Sequence, residues 1–203
     1  MIDAAAGFAS LAAGDTPAVV SLHATKILGT GEGGLVISRD RSIVHRVRRA
    51  SNFGFDASRQ VTIGATNAKM SEYHAALGHA ALDAWNEDRA EWMAAARAYA
   101  GALAPSNRVR LQEGFGEKWV STTCVLHVPD SSTLRIEAAL AEAGVETRRW
   151  WGKGAHVQPA TAHFPRGHLS ATQALVDSTI AVPFYRDIDH ADIRRIAGIV
   201  LNA

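Results

Sequence analysis

Lys26 is the residue whose type and setting most invite chemistry. It follows Ser21-Leu22-His23-Ala24-Thr25 and precedes a turn, GTGEGG over 29–34, that holds four glycines. An amine used for imine chemistry must be fixed by rigid backbone and partly neutral, which burial and nearby cations favour. The chain has 17 Arg but only four Lys: Lys26, Lys69, Lys118 and Lys153. Arg supplies the general surface cations, so a lysine among glycines is better placed for chemistry that Arg cannot do. By spacing alone, Lys26 also reads as an ordinary lysine at a strand end.

Asp3 ends an apolar start, and a second apolar run precedes Lys26. Residues at the same ends of strands in one sheet face one crevice. An acid there can hold a proton on a pyridine nitrogen, or simply cap a helix near Ala4. Ser21 can donate to a phosphate, helped by turn amides, or bond backbone. His23 can lie near a cofactor ring or be a packed histidine. Asn67 precedes a long helical pattern and also reads as a turn asparagine.

The elements that position these residues follow from periodicity. Ala18 to Leu22 and Leu35 to Ser38 read as strands around the glycine turn. Arg41 to Asn52 has helical spacing, with Ile43, Val44 and Val47 on one face. Residues 53–66 read as a loop. Ser71 can cap one long helix running through Trp92 and Tyr99 to Leu103, with Tyr73, Leu77 and Ala80 on a stripe. Such a helix would bridge two domains. Trp119 to Val128 is β-rich, and Ser131 or Ser132 can cap a helix that Gly144 ends. Residues 145–151 read as extended. A helix near 171–178, a strand near 180–183 and a helix over 191–201 complete the pattern.

Other chemistries lack support. The nine His show no zinc spacing with the single cysteine, Cys124, or with acids, so no metal site is expected. GTGEGG lies between strands rather than opening a helix, which argues against a nucleotide fingerprint. Net charge is +1, with 47% hydrophobic and 20% charged residues, as in an ordinary soluble protein without a nucleic-acid footprint. No apolar run reaches the roughly 20 residues of a membrane span, and MIDAAAGFAS lacks a basic leader. A lone cysteine fits a reducing cytoplasm.

In combination the motifs are specific. Ser21-Leu22-His23-Ala24-Thr25-Lys26 with Gly31-Glu32-Gly33-Gly34 resembles the lysine motif of the DegT-type sugar aminotransferases, pyridoxal-phosphate (PLP) enzymes of fold type I. Asp3-Ala4-Ala5, Asn67-Ala68-Lys69-Met70-Ser71-Glu72 and Val182-Pro183-Phe184-Tyr185 are similar to that family's other landmarks, in its order. The resemblance implies an α/β fold: part of a fold-type I large domain over 1–88, then a small α+β C-terminal domain over 89–203. It implies that Lys26 carries PLP as a Schiff base and moves protons. Asp3 would hold the pyridinium proton, Ser21 the phosphate, and Asn67 the phosphate of a neighbouring subunit's cofactor in a homodimer with shared active sites. His23 would lie near the ring. The implied reaction moves an amino group from L-glutamate to a nucleotide-diphosphate-linked keto sugar. Arg148, Arg149, Trp150 and His156 fall where the family contacts substrate.

Two departures stand out. Ala6 occupies a position where the family often has Gln, Glu or His. Family members are also considerably longer, and the residues without counterpart here are their N-terminal half. The alternative is therefore a catalytically incomplete remnant or interaction module that needs a partner chain. An open sheet edge would then favour association. The dehydratase branch of the same fold, with histidine in place of the lysine, is disfavoured by Lys26.

Overall fold

The computed structural model describes residues 1–11, 14–129, 132–150 and 152–203. The chain divides into two compact units, Met1–Arg89 and Ala90–Ala203.

The first unit is built on a three-stranded sheet. Strand β1 (Ile2–Asp3) pairs in parallel with β2 (Ala18–Ser21), which pairs antiparallel with β3 (Gly34–Ile37). The two strands expected around the glycine turn thus form a pair, joined by the long loop 22–33. Ala4, Ala18, Val20, Leu22 and Leu28 form the buried cluster, with Phe8, Leu35, Met70 and Trp85 packed against it. Helix α1 (Arg41–Ser51) starts where Asp40 accepts from the Ser42 amide at 2.8 Å. Helix α2 (Glu72–Asp83) starts at Ser71, whose side chain accepts from the His74 amide at 3.2 Å. Both caps satisfy a first-turn donor that the helix itself cannot.

The single long helix expected from Ser71 to Leu103 is instead two. It breaks at Ala84, and α3 runs from Trp85 to Leu103. The apolar periodicity continues through the break, so spacing did not reveal it. Trp85 then stacks edge-on against Phe8, with centroids 4.8 Å apart.

In the second unit, β4 (Arg110–Leu111), β5 (Cys124–His127) and β6 (Thr179–Val182) form an antiparallel sheet. Helices α4 (Thr133–Glu142), α5 (Ser170–Ser178) and α6 (His190–Asn202) complete the unit. Alternate residues of β5 point inward, leaving Cys124 and Leu126 almost fully buried beside Ile136, Leu140, Ile180 and Ile193. Of the two capping serines considered for α4, Ser132 takes the N-cap position without a side-chain cap bond, and Ser131 lies outside the described residues. Thr133 instead donates to the Asp177 carbonyl at 2.7 Å, fastening the start of α4 to α5. The extended segment expected over 145–151 reduces to one bridge, Arg148 to Ala181; Trp151 lies outside the described residues. No described helix is long and apolar enough to cross a membrane.

Candidate active site

Asp3 and Ser21 stand at the C-terminal ends of neighbouring parallel strands. Asp3 is in register with Val19, and Ser21 lies two residues further along β2. Parallel pairing brings these ends to the same side of the sheet, which is where ligands of α/β sheets collect. Asp3 is exposed. Its Oδ1 accepts from the Ala5 amide at 3.0 Å, a local turn rather than a helix cap. Its other carboxylate oxygen has no partner among the described residues. Ser21 Oγ accepts from the His23 amide at 3.3 Å, which leaves its own proton uncommitted.

Lys26 follows on the loop between β2 and β3. Its amide donates to the His23 carbonyl at 2.8 Å, so the residue sits on a closed turn. Ile27 and Leu28 beside it are buried, and Leu28 belongs to the core cluster. The backbone under the lysine is thereby anchored, while the half-buried side chain makes no hydrogen bond or ion pair among the described residues. Gly29 is required by close approach: a Cβ there would stand 2.6 Å from the Ala24 carbonyl oxygen, well inside contact distance.

His23 is fixed by its own loop. The Thr25 amide donates to Nδ1 at 3.2 Å, and the Thr25 hydroxyl lies 2.9 Å from the same nitrogen. A neutral ring accepting at Nδ1 carries its proton on Nε2, which lies 3.7 Å from Glu32. Thr25 and Glu32 were not singled out from the sequence. Their spacing around His23 becomes meaningful only once the loop is folded.

Asn67 lies in an exposed bridge with Asn52, and its Oδ1 accepts from Lys69 Nζ at 2.7 Å. Lys69 Nζ also sits 4.3 Å above the ring of Phe53. Both amide hydrogens of Asn67 stay unused among the described residues.

The four residues expected near substrate separate in the second unit. Arg148 and Trp150 line a pocket of about 260 Å³ together with Thr122, Glu146 and Phe184. Arg149 does not line it. Its guanidinium donates to Glu137 at 2.9 and 3.2 Å and to the Val176 carbonyl at 3.3 Å, bracing α4 against the end of α5. His156 lies in a single 3₁₀ turn, Ala155–Val157, also outside that pocket. Among the described residues no group of His, Cys, Asp or Glu could hold a metal.

Comparison with known proteins gives these groups a context. The dTDP-3-amino-3,4,6-trideoxy-alpha-D-glucose transaminase of Streptomyces venezuelae is 26% identical over 201 residues, covering 94% of this chain and 51% of the relative. The structure of DesI with its TDP-sugar product superposes with a TM-score of 0.77 at 31% identity, covering 92% of this chain and 49% of that one. A Bacillus cereus structure reaches a TM-score of 0.90 at 25% identity, covering 98% of this chain and 56% of its own. The chain spans about half the length of the curated relatives it matches. The sequence model of the DegT/DnrJ/EryC1/StrS aminotransferases matches residues 2–201, and the chain belongs to that family, whose cofactor is PLP.

Proposed function

We propose that residues 1–203 are the lysine-bearing part of a PLP-dependent aminotransferase whose acceptor is a nucleotide-diphosphate-linked keto sugar and whose donor is L-glutamate. The observation that carries this reading is the set of polar groups left uncommitted, among the described residues, at the C-terminal ends of β1 and β2 and on the loop that follows β2. It comprises a carboxylate oxygen of Asp3, the hydroxyl proton of Ser21 and the amine of Lys26. That set fits an aldehyde-bearing pyridine phosphate, which needs an acid at its ring nitrogen, a donor to its phosphate and an amine for attachment.

Each residue has a separate task. Lys26 holds the cofactor covalently, and as a free amine it moves a proton at the substrate carbon. Asp3 keeps a proton on the ring nitrogen by charge. The bound cofactor supplies an electron sink at that carbon. Ser21 donates to the phosphate, His23 packs near the ring, and Asn67 offers its amide to the phosphate held by a second copy of the chain. Arg148 and Trp150, sharing one pocket, are the better substrate candidates of their group. Arg149 and His156 are weaker ones. Residues 1–88 act as the cofactor-binding portion and 89–203 as the small C-terminal domain, in a cytoplasmic homodimer.

The test is covalent labelling. Incubation with PLP, borohydride reduction and peptide mapping should place the label on Lys26, and Lys26→Ala should lose it together with any visible absorbance band. Undiminished labelling of the Lys26→Ala chain would remove the assignment. The second reading, an incomplete remnant that needs a partner chain, has its own support. The outer edge of β1 pairs with no described strand, and Met1 and Ile2 are exposed. It predicts labelling of Lys26 only after a chain carrying the complementary half is added.

A further inference from the structure

The loop that carries Lys26 is closed by three hydrogen bonds from backbone amides. Leu22 donates to Gly33, Ala24 to Gly31 and Thr30 to Leu22, at 2.9, 2.7 and 2.9 Å. Gly31 adopts φ of 107°, a conformation that L side chains rarely take. A Cβ there would also stand only 3.0 Å from His74 Nε2. The imidazole edge of a residue on α2 therefore faces Gly31 of the lysine loop across the space that a Cβ would occupy. Beside it, Met70 Cε fills the space over Gly33.

The ring of His74 is itself held. Ser71 Oγ lies 2.8 Å from Nδ1. The N-cap accounts for only part of this arrangement. Capping uses the backbone N–H of residue 74, which every residue but proline has. The bond from Ser71 to the ring and the contact of the ring with Gly31 need histidine, or a side chain of its length and polarity.

We propose that His74 is a positioning residue for Lys26. Locked at Nδ1 by Ser71, its ring seats Gly31. Gly31 in turn keeps the Ala24 amide bonded and the turn under Lys26 closed, so the amine is presented from a fixed backbone. This inference rests on Lys26 being the cofactor amine.

The experiment uses the full chain with His74→Ala and His74→Gln. Hydrogen exchange is read at the Ala24 and Thr30 amides without cofactor. The rate at which PLP labels Lys26 is read by borohydride trapping. His74→Ala should speed exchange at both amides roughly tenfold and slow labelling of Lys26 by a similar factor, with exchange in β5 and β6 unchanged. His74→Gln should recover much of both, since its amide can still meet Ser71. Should His74→Ala fail to fold, His74→Leu, which cannot bond Ser71, serves instead and must loosen the same two amides. Unchanged exchange at Ala24 and Thr30 overturns the proposal. So does faster exchange with wild-type labelling of Lys26. Labelling of a different lysine, or of none even after a chain carrying the complementary half is added, defeats the Lys26 assignment and this role with it. That failure is recognisable separately, because the exchange measurement involves no cofactor.

Discussion

Cys124 and Lys26 show how differently burial treats two reactive side chains in one chain. Cys124 lies on the inward face of β5, and burial pushes its thiol up to about 12. Thiolate is the reactive form, so this cysteine is inert in the folded protein. A thiol-specific reagent at pH 8 should leave the native chain unlabelled and react only as it unfolds; prompt native labelling would contradict the packing. The folded thiol keeps its proton above the ordinary value near 9, where the unfolded thiol loses it. Stability from this group is therefore intact below about pH 9 and declines as the pH rises toward about 12. Tyr99 adds to the same decline. Burial raises its phenol, which donates to the Pro183 carbonyl at 2.7 Å. Lys26 is the opposite case, a half-buried amine on an anchored turn with no partner among the described residues.

Among the elements, α6 starts at a side-chain cap. Asp189 accepts from the Ala191 amide at 2.7 Å, and the helix buries Ile193, Ile196, Ala197 and Val200. Asp189→Ala should cost about 1 kcal/mol, read as a lower urea midpoint with an unchanged slope. An unshifted midpoint would mean that packing alone fixes that end. The apolar spacing of this helix was legible in the sequence because one face repeats every three to four residues. The division of α2 from α3 was not. Ala84 fits the helical pattern, and the contact of Trp85 with Phe8 joins residues far apart in the chain. The separate settings of Arg148 and Arg149 were not legible for a related reason. Next to Arg148 in sequence, Arg149 turns to Glu137 and the α5 carbonyl, while Arg148 lines the pocket.

At the scale of the whole molecule, α2 is the exposed element that bears most on assembly. It buries no residue within the chain, and Tyr73, Leu77 and Leu82 are 72%, 39% and 46% exposed. A helix with so many exposed apolar side chains favours association. If a second copy covers it, as the proposed homodimer requires, Leu77→Glu should shift the chain toward monomer in sedimentation velocity while its helix content stays the same. A monomeric wild-type chain at micromolar concentration would remove that role from α2. Because Asn67 stands shortly before α2, loss of the dimer should also weaken PLP binding.

The sequence by itself determined the family, the order of its landmarks and most of the elements. Those properties are local: a glycine turn, an apolar repeat and a capping serine each leave their mark within a few residues. Only the tertiary structure decided which groups remain free. It spent one oxygen of Asp3 on a turn and gave the amine of Lys26 no partner among the described residues. It also committed Arg149 to a brace and set His74 on Gly31. Whether a polar group is used or spare depends on neighbours brought together by strand pairing and helix packing, and those partners lie far apart in the chain.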